Sequence, residues 1–217
     1  MVVKVMPRGR PVNSKKQQQQ KEKLLNSAST LLAEKSYQRI TLRELAEHAQ
    51  INSAMIAYYF TNKEGLFIAL LDQMAKQHFS QMKKVLNADN PIKTFINMMI
   101  NMLSDNSSFA RLIHDEFISE QSALSEAFIE KFPKKMSLML PKIIIAHTEI
   151  NDEKKAKYAA FSLITLIITP FIGESVRKKA WQISDEELKD PQWAEHIYNL
   201  FIMGCNSSYK NTNKEIK

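Results

Sequence analysis

Residues 41–67, TLRELAEHAQINSAMIAYYFTNKEGLF, read as a short helix, a tight turn, a second short helix and the start of a third. Thr41 and Glu44 stand in the S/T-x-x-E arrangement, in which hydroxyl and carboxylate each satisfy an orphan backbone donor at a helix start. Ile40 just outside and Leu45 just inside supply an apolar staple. Leu42, Leu45, Ala46 and Ala49 recur at helical spacing while Arg43, Glu44, Glu47 and His48 fall elsewhere, which predicts one buried and one wet face. After Gln50, Ile51 and Asn52 a second helix begins at Ser53, with Ile56 and Phe60 inward and Ala54, Met55 and Tyr58 outward. Thr61 and Asn62 offer caps for a helix from Lys63, whose apolar positions Leu66, Phe67, Leu70, Leu71, Met74 and Phe79 run on towards Leu86. Two short helices about a tight turn are the plan of a helix-turn-helix, whose second helix enters a DNA groove.

Taken together these residues resemble the DNA-binding domain of the tetracycline-repressor (TetR, AcrR-like) family of bacterial transcriptional regulators. The pattern is a threonine opening helix two, an aliphatic-Ala pair, a four-residue turn, an aromatic helix three and a Lys-Glu-x-Leu start to helix four. It is carried by Thr41, Leu45 and Ala46, Ala49 to Asn52, Ala57 to Phe60, and Lys63 to Leu66. Three positions depart from it: Gln50 replaces a usual glycine, Ala57 a frequent tyrosine and Tyr59 a frequent histidine. A side chain held at positive φ at Gln50 costs about 1 kcal/mol, so the turn is expected to be slightly reshaped. The resemblance implies phosphate contacts from Thr41 and Tyr58, a phosphate anchor at Lys63, and a groove-facing tip of Ser53, Ala54 and Met55. It further implies an all-α chain, with an N-terminal three-helix, homeodomain-like DNA-binding domain joined by a long helix to a C-terminal helical bundle that binds a ligand and dimerises.

Composition agrees with a helical reading. The 217 residues are 44% hydrophobic with 4 glycines, too few to punctuate a sheet protein. Residues 1–65 carry 11 Lys/Arg against 5 Asp/Glu, and the remaining 152 carry 19 against 18. Nearly all of the net charge of +7 therefore lies beside the candidate reader, where it would displace counterions from a polyanion. The single cysteine, Cys205, excludes an internal disulfide or a multi-cysteine metal cage and suits a reducing cytoplasm. It reads as a small buried apolar residue, with a redox sensor as the alternative. No signal-peptide stretch opens the chain. The apolar run 158–173, YAAFSLITLIITPFIG, falls short of the roughly 20 residues of a span and contains Ser162, Thr165, Thr169 and Pro170, so it reads as a buried core helix rather than a membrane segment.

Ahead of the first helix, Lys4, Arg8, Arg10, Lys15 and Lys16 meet no acidic residue, and Pro7, Gly9 and Pro11 oppose helix, which predicts a flexible basic arm over 1–16. Arg8 and Arg10 are candidates for insertion into a narrow minor groove. Helix one packs through Leu24, Leu25, Ala28, Leu31 and Leu32. The reading tip has Ser53 as its only strong polar side chain, so Ala54, Met55 and Ala57 are expected to meet thymine methyls. Arg43, Tyr58 and Tyr59 would reach phosphates, and the operator is expected to be palindromic and A·T-leaning.

The helix-turn-helix is placed at about 41–60 within a DNA-binding domain over 17–77, followed by a C-terminal effector and dimerisation domain over 78–210 and a disordered tail over 211–217. Stripes at Ile92, Phe95, Ile96, Met99, Met102 and Leu103, and at Phe109, Leu112, Ile113 and Phe117, pack inward. Pro133 and Pro141 interrupt the next helical stretch and open room inside the bundle. The last two helices, about Glu153 to Lys179 and Pro191 to Ser207, are expected to form a homodimer through Leu163, Ile167, Phe171, Trp193, Ile197 and Phe201. A small-molecule pocket, implied by the resemblance, has Met99, Glu116, Phe117, Phe128 and Thr165 as its candidate lining, with Glu116 its carboxylate.

These features predict a cytoplasmic, ligand-responsive DNA-binding regulator, a repressor by resemblance, that leaves a double-stranded operator when an effector binds. No cofactor, metal or membrane is expected. Two other classes compete. A helical-bundle enzyme lacks a constellation, because His48, His78, His114, His147 and His196 are scattered without ligand spacing and no phosphate-cradling glycine loop exists. A sequence-indifferent architectural DNA binder suits the arm but leaves the apolar second domain without a purpose.

Overall fold

The computed structural model describes the backbone of residues 14–118 and 122–207 and the side chains of 14–114 and 122–206. Residues 1–13 of the expected basic arm, with Arg8 and Arg10, and the tail over 211–217 lie outside the described residues; Ser14, Lys15 and Lys16, expected in that arm, instead open the first helix. Twelve α-helices and one 3-10 turn make up the described chain, which holds no strand. They run α1 Ser14–Glu34, the turn Tyr37–Arg39, α2 Leu42–Ala49, α3 Ala54–Phe60, α4 Lys63–Leu86, α5 Pro91–Asp105, α6 Ser107–Ile118, α7 Ala123–Lys131, α8 Pro133–His147, α9 Glu153–Ile172, α10 Glu174–Ala180, α11 Asp185–Lys189 and α12 Pro191–Ser207.

Most helix starts follow from local chemistry. Asn62, Asn90, Ser122, Asp152 and Ser184 each accept a backbone N–H in the first turn of the helix they precede. Pro91 and Pro133 occupy first helical positions, where a missing N–H costs nothing. Pro141 and Pro170 instead sit inside α8 and α9 and deprive the preceding turn of a donor.

α1 to α4 form a small bundle whose centre is Leu24, Leu32, Leu45, Ile56, Leu66 and Leu71, all fully buried. The 24 residues of α4 extend about 36 Å, so its second half enters the larger bundle of α5 to α12. The expected boundary at residue 77 falls within this helix. Contacts between α1 and α6 and between α4 and α7 join the two bundles. Ser29 and Ser108 share a hydroxyl hydrogen bond of 3.1 Å, and Lys131 pairs with Asp72 at 2.5 Å.

Two sequence expectations change here. Leu42, the first residue of the eight-residue α2, is 43% exposed rather than on the buried face. The expected helix from Glu153 to Lys179 breaks at Gly173 into α9 and α10. Arg177, only 6% exposed, holds that corner: it donates to the carbonyls of Pro170 (2.9 Å) and Ile183 (2.6 Å) and pairs with Asp185 (2.6 Å).

Candidate nucleic-acid interface and interior cavity

The expected capping box is present. Thr41 Oγ1 accepts from the Glu44 N–H (3.2 Å), and Glu44 Oε2 accepts from the Thr41 N–H (2.9 Å). Lys35, hydrogen-bonded to Glu44 at 2.5 Å, together with these Thr41 bonds holds the Glu44 carboxyl at about 2, well below its ordinary range. Ile40 and Leu45 are both buried beneath the cap, as the staple requires.

Gln50 keeps the turn in its glycine-like shape rather than reshaping it. Its backbone lies in the left-handed region (φ 54, ψ 44). The Gln50 N–H donates to Glu47 O and the Ile51 N–H to Ala46 O (2.9 Å), the paired bonds of a Schellman motif. The helix that follows is capped by Asn52, whose Oδ1 accepts the Ala54 N–H at 2.9 Å, and not by Ser53. Asx capping before a helix start is a readable signal that the sequence analysis missed.

α3 buries Ile56 completely and turns Ser53, Ala54, Ala57 and Tyr58 to the outside, with Met55 half-buried beside them. Tyr58 is 66% exposed, and its hydroxyl accepts from Gln17 of α1 at 3.4 Å. Tyr59 is half-buried, donates to Gln20 Oε1 at 2.6 Å and lies under the Lys21 ammonium. Two adjacent tyrosines thus differ: one faces outward and the other ties the helix to α1. Arg43 projects from α2 with its Nε on Glu47 at 2.7 Å.

Lys63 is used from within the domain. Its ammonium donates to the carbonyls of Tyr37 and Ile40, both at 2.9 Å, and stands 4.2 Å from the Tyr37 ring centroid. Partial burial lowers its pKa. It locks the link between α1 and α2 to the start of α4, and one of its three donors remains for another group.

Within the larger bundle, a cavity of ≈ 220 Å³ lies among α4 to α9. Met99 and Phe128, two of the candidate pocket residues, both border it. Thr165 does not: it faces outward, its hydroxyl donating to the Phe161 carbonyl of its own helix at 2.9 Å. That expectation is corrected by helix phase, since the cavity side of α9 is Ala160, Ile164 and Ile168. Glu116 and Phe117 lie on α6, with side chains outside the described residues. Pro133 and Pro141 both border the space, as their positions led one to expect. His78 joins the wall unannounced. It is 3% exposed, neither ring nitrogen has a partner among the described residues, and burial lowers its pKa to about 4. Its place four residues after Met74 and four before Met82 on the apolar stripe of α4 was the sequence signal for it.

The expected dimer contacts need a second correction. Leu163, Ile167, Ile197 and Phe201 are no more than 5% exposed and pack in the protomer's own core; Phe171 and Trp193 are half-buried. Periodicity identified the apolar helices but assigned the inner stripe to the partner. The outer stripe carries Tyr158, Phe161, Leu200 and Met203, each at least half exposed, with Val176 and Trp181 beside it. Several of these border a groove of ≈ 890 Å³ along α9, α10 and α12. By length and composition α9 could cross a membrane, and 22% of its apolar window is buried. The reading as a buried core helix thus holds for one face alone; that face packs on α5, α6, α8 and α12.

Among the described residues no group of three His, Cys, Asp or Glu side chains could hold a metal ion. Cys205 is 4% exposed, and burial raises its thiol pKa to about 11, which suppresses the reactive thiolate.

Residues 24–70 match the family model described as bacterial regulatory proteins, tetR family. The HTH-type transcriptional regulator YuxN of Bacillus subtilis (strain 168) is 27% identical over 103 residues, covering 47% of this chain and 34% of YuxN, so the chain matches about a third of that relative's length. Over nearly the whole fold it is similar to the fatty acid degradation regulator FadR from Bacillus halodurans, with TM-score 0.69, 16% identity, and coverage of 85% of this chain and 95% of FadR. It is likewise similar to AibR in complex with isovaleryl coenzyme A and operator DNA, with TM-score 0.66, 15% identity and coverage of 84% and 98%.

Proposed function

We propose, on the premise that this chain is a TetR-family transcriptional regulator, that it binds an operator as a homodimer and is released by a small-molecule effector. Its relatives are transcriptional regulators rather than enzymes. One observation carries the DNA reading. α3 presents an outward face of Ser53, Ala54, Ala57 and Tyr58 while α1, the Schellman turn and the Lys63 clamp fix its backbone. Thr41, Arg43, Tyr58, Tyr59 and Lys63 are assigned to phosphates, Arg8 and Arg10 to the minor groove, and Ser53, Ala54 and Met55 to base edges. Of these, Tyr59 and Lys63 serve chiefly to hold the reader in place, since their polar atoms are engaged within the domain.

The DNA-binding unit is taken as 14–77 with an arm before α1, and the effector and dimerisation unit as 78–210. The outer stripe of α9 and α12 is where a second copy packs, which sets two α3 helices roughly 34 Å apart for successive major grooves. Met99 and Phe128 line the effector cavity. Since α4 borders both that cavity and α3, an effector that favours one position of α4 shifts the reader, and a coupling of about 1 to 3 kcal/mol suffices to lower DNA affinity severalfold. AibR, whose structure holds isovaleryl coenzyme A and operator DNA, supports by similarity a ligand site and a DNA site on one fold. A cytoplasmic site of action follows from the same role.

Selection from a random duplex library tests the reading. It should yield a symmetric, A·T-leaning element that outcompetes random DNA; binding without sequence preference would favour an architectural role.

A further inference from the structure

Among the described residues, the cavity named above as the effector site has one deeply buried polar side chain, His78, with walls that include Met99, Phe109, Phe128 and Met136. Resting on that reading, we propose that the effector is a small uncharged molecule bearing a hydroxyl, and that the His78 imidazole is the group that recognises it.

A fully buried imidazole with no partner is uncommon, because buried polar groups are nearly always hydrogen-bonded. Neither ring nitrogen of His78 has a hydrogen-bond partner among the described residues, and its nearest rings are Phe79 at 4.9 Å and Phe132 at 6.1 Å between centroids. Its burial keeps the ring neutral near pH 7, and a neutral imidazole offers one donor and one acceptor. A hydroxyl is the smallest group that answers both.

A carboxylate fits less well. Among the described residues the only charged side chain lining the cavity is the exposed Lys157, so an anionic head would stay beside it and leave His78 unsatisfied. Size narrows the class further. An apolar cavity of about 150 Å³ accepts benzene, so ≈ 220 Å³ suits about nine non-hydrogen atoms by the same scale. Phe109, Phe128 and Phe132 lie within 6.4 Å of one another by ring centroid, and these faces with the thioethers of Met99, Met102 and Met136 favour an aromatic guest. A small phenol meets every condition.

The position of His78 gives the contact a consequence. It lies 15 residues after Lys63 on one unbroken helix, about 22 Å along the axis. The hydroxyl is therefore read by the helix that carries the reader's clamp.

Calorimetric titration of the full chain with p-cresol, toluene and 4-methylbenzoate tests this in wild type, His78→Leu and His78→Gln. Wild type should bind p-cresol at least tenfold tighter than toluene, with 4-methylbenzoate weakest. His78→Leu should bind toluene but lose the preference, while His78→Gln, which keeps a donor and an acceptor, should retain part of it and confirm the role if the leucine variant folds poorly. Equal binding of p-cresol and toluene by wild type, a preference that survives in His78→Leu, or tightest binding of 4-methylbenzoate overturns the role of His78 and leaves the cavity as a ligand site. Binding of none of the three overturns the cavity reading as well.

Discussion

Gly65 stands directly against Phe60: a Cβ at Gly65 would lie 2.0 Å from the Phe60 carbonyl oxygen. The last residue of α3 and the first turn of α4 are therefore in backbone contact. Thr61 between them adopts φ 71, ψ −49, and the Asn62 N–H bonds back to Phe60 O at 2.8 Å, a tight γ-turn that β-branched residues rarely occupy. Backbone cannot yield as a flexible side chain can. Gly65→Ala should cost about 3 kcal/mol, the upper end for overpacking, and should weaken operator binding beyond what lost stability explains. Urea denaturation alongside DNA titration checks both, and unchanged values would show that the junction is soft.

At Gln50 the expected effect has the opposite sign. A non-glycine residue in the left-handed region costs ~1–2 kcal/mol, of which the greater freedom of unfolded glycine returns ~0.5–1. Gln50→Gly should stabilise the protein by roughly 0.5–1 kcal/mol, read as a higher urea midpoint with unchanged slope. A lower midpoint would mean that the Gln50 side chain makes a contribution larger than its backbone strain.

Acid should act on His78 before it acts on the capping box. The folded pKa of His78, about 4, lies below the ordinary 6.5; the unfolded chain therefore takes up this proton first, and stability falls as pH drops from 6.5 towards 4. The loss is at most about 3 kcal/mol, and His78→Leu should flatten that part of the profile. Glu44 acts lower down: its carboxyl, held at about 2 against 4.5, stabilises the cap above 4.5 and loses that contribution as pH falls towards 2. A His78→Leu profile that parallels wild type between 6.5 and 4 would contradict the burial argument.

Neighbouring residues on α12 should separate folding from assembly. Leu200 is 51% exposed and Ile197 only 2%. Leu200→Glu should leave each protomer folded but dissociate the dimer, read by sedimentation. Ile197→Ala should lower stability by about 2–5 kcal/mol before it affects assembly. Dissociation by the alanine variant alone would restore the inner stripe as the interface.

The Cys205 thiol, buried and shifted to about 11, should react with a disulfide reagent only after unfolding. Rapid labelling of the native protein would reopen a redox role.

How far the sequence could be read depended on how local the cause was. The capping box at Thr41 and Glu44, the length of α4 to Leu86, and the prolines that flank a cavity are set by residues within a turn or two, and all are present. The unbroken helix expected to Lys179 failed because the corner at Gly173 is held by Arg177, whose partners reach as far as Asp185. His78 passed as one of five scattered histidines because nothing along the chain distinguishes a buried imidazole from an exposed one.

Amino-acid order alone determined that this chain is helical, that it carries a helix-turn-helix, and that its basic charge gathers beside that motif. Those properties rest on caps, periodicity and composition, which act over a few residues. Tertiary packing decided which stripe of α9 and α12 stays exposed, that Lys63 clamps the reader from within, and that Thr165 faces away from the cavity. A helical repeat shows that two faces are apolar, but only the neighbours that cover one of them determine which is left exposed.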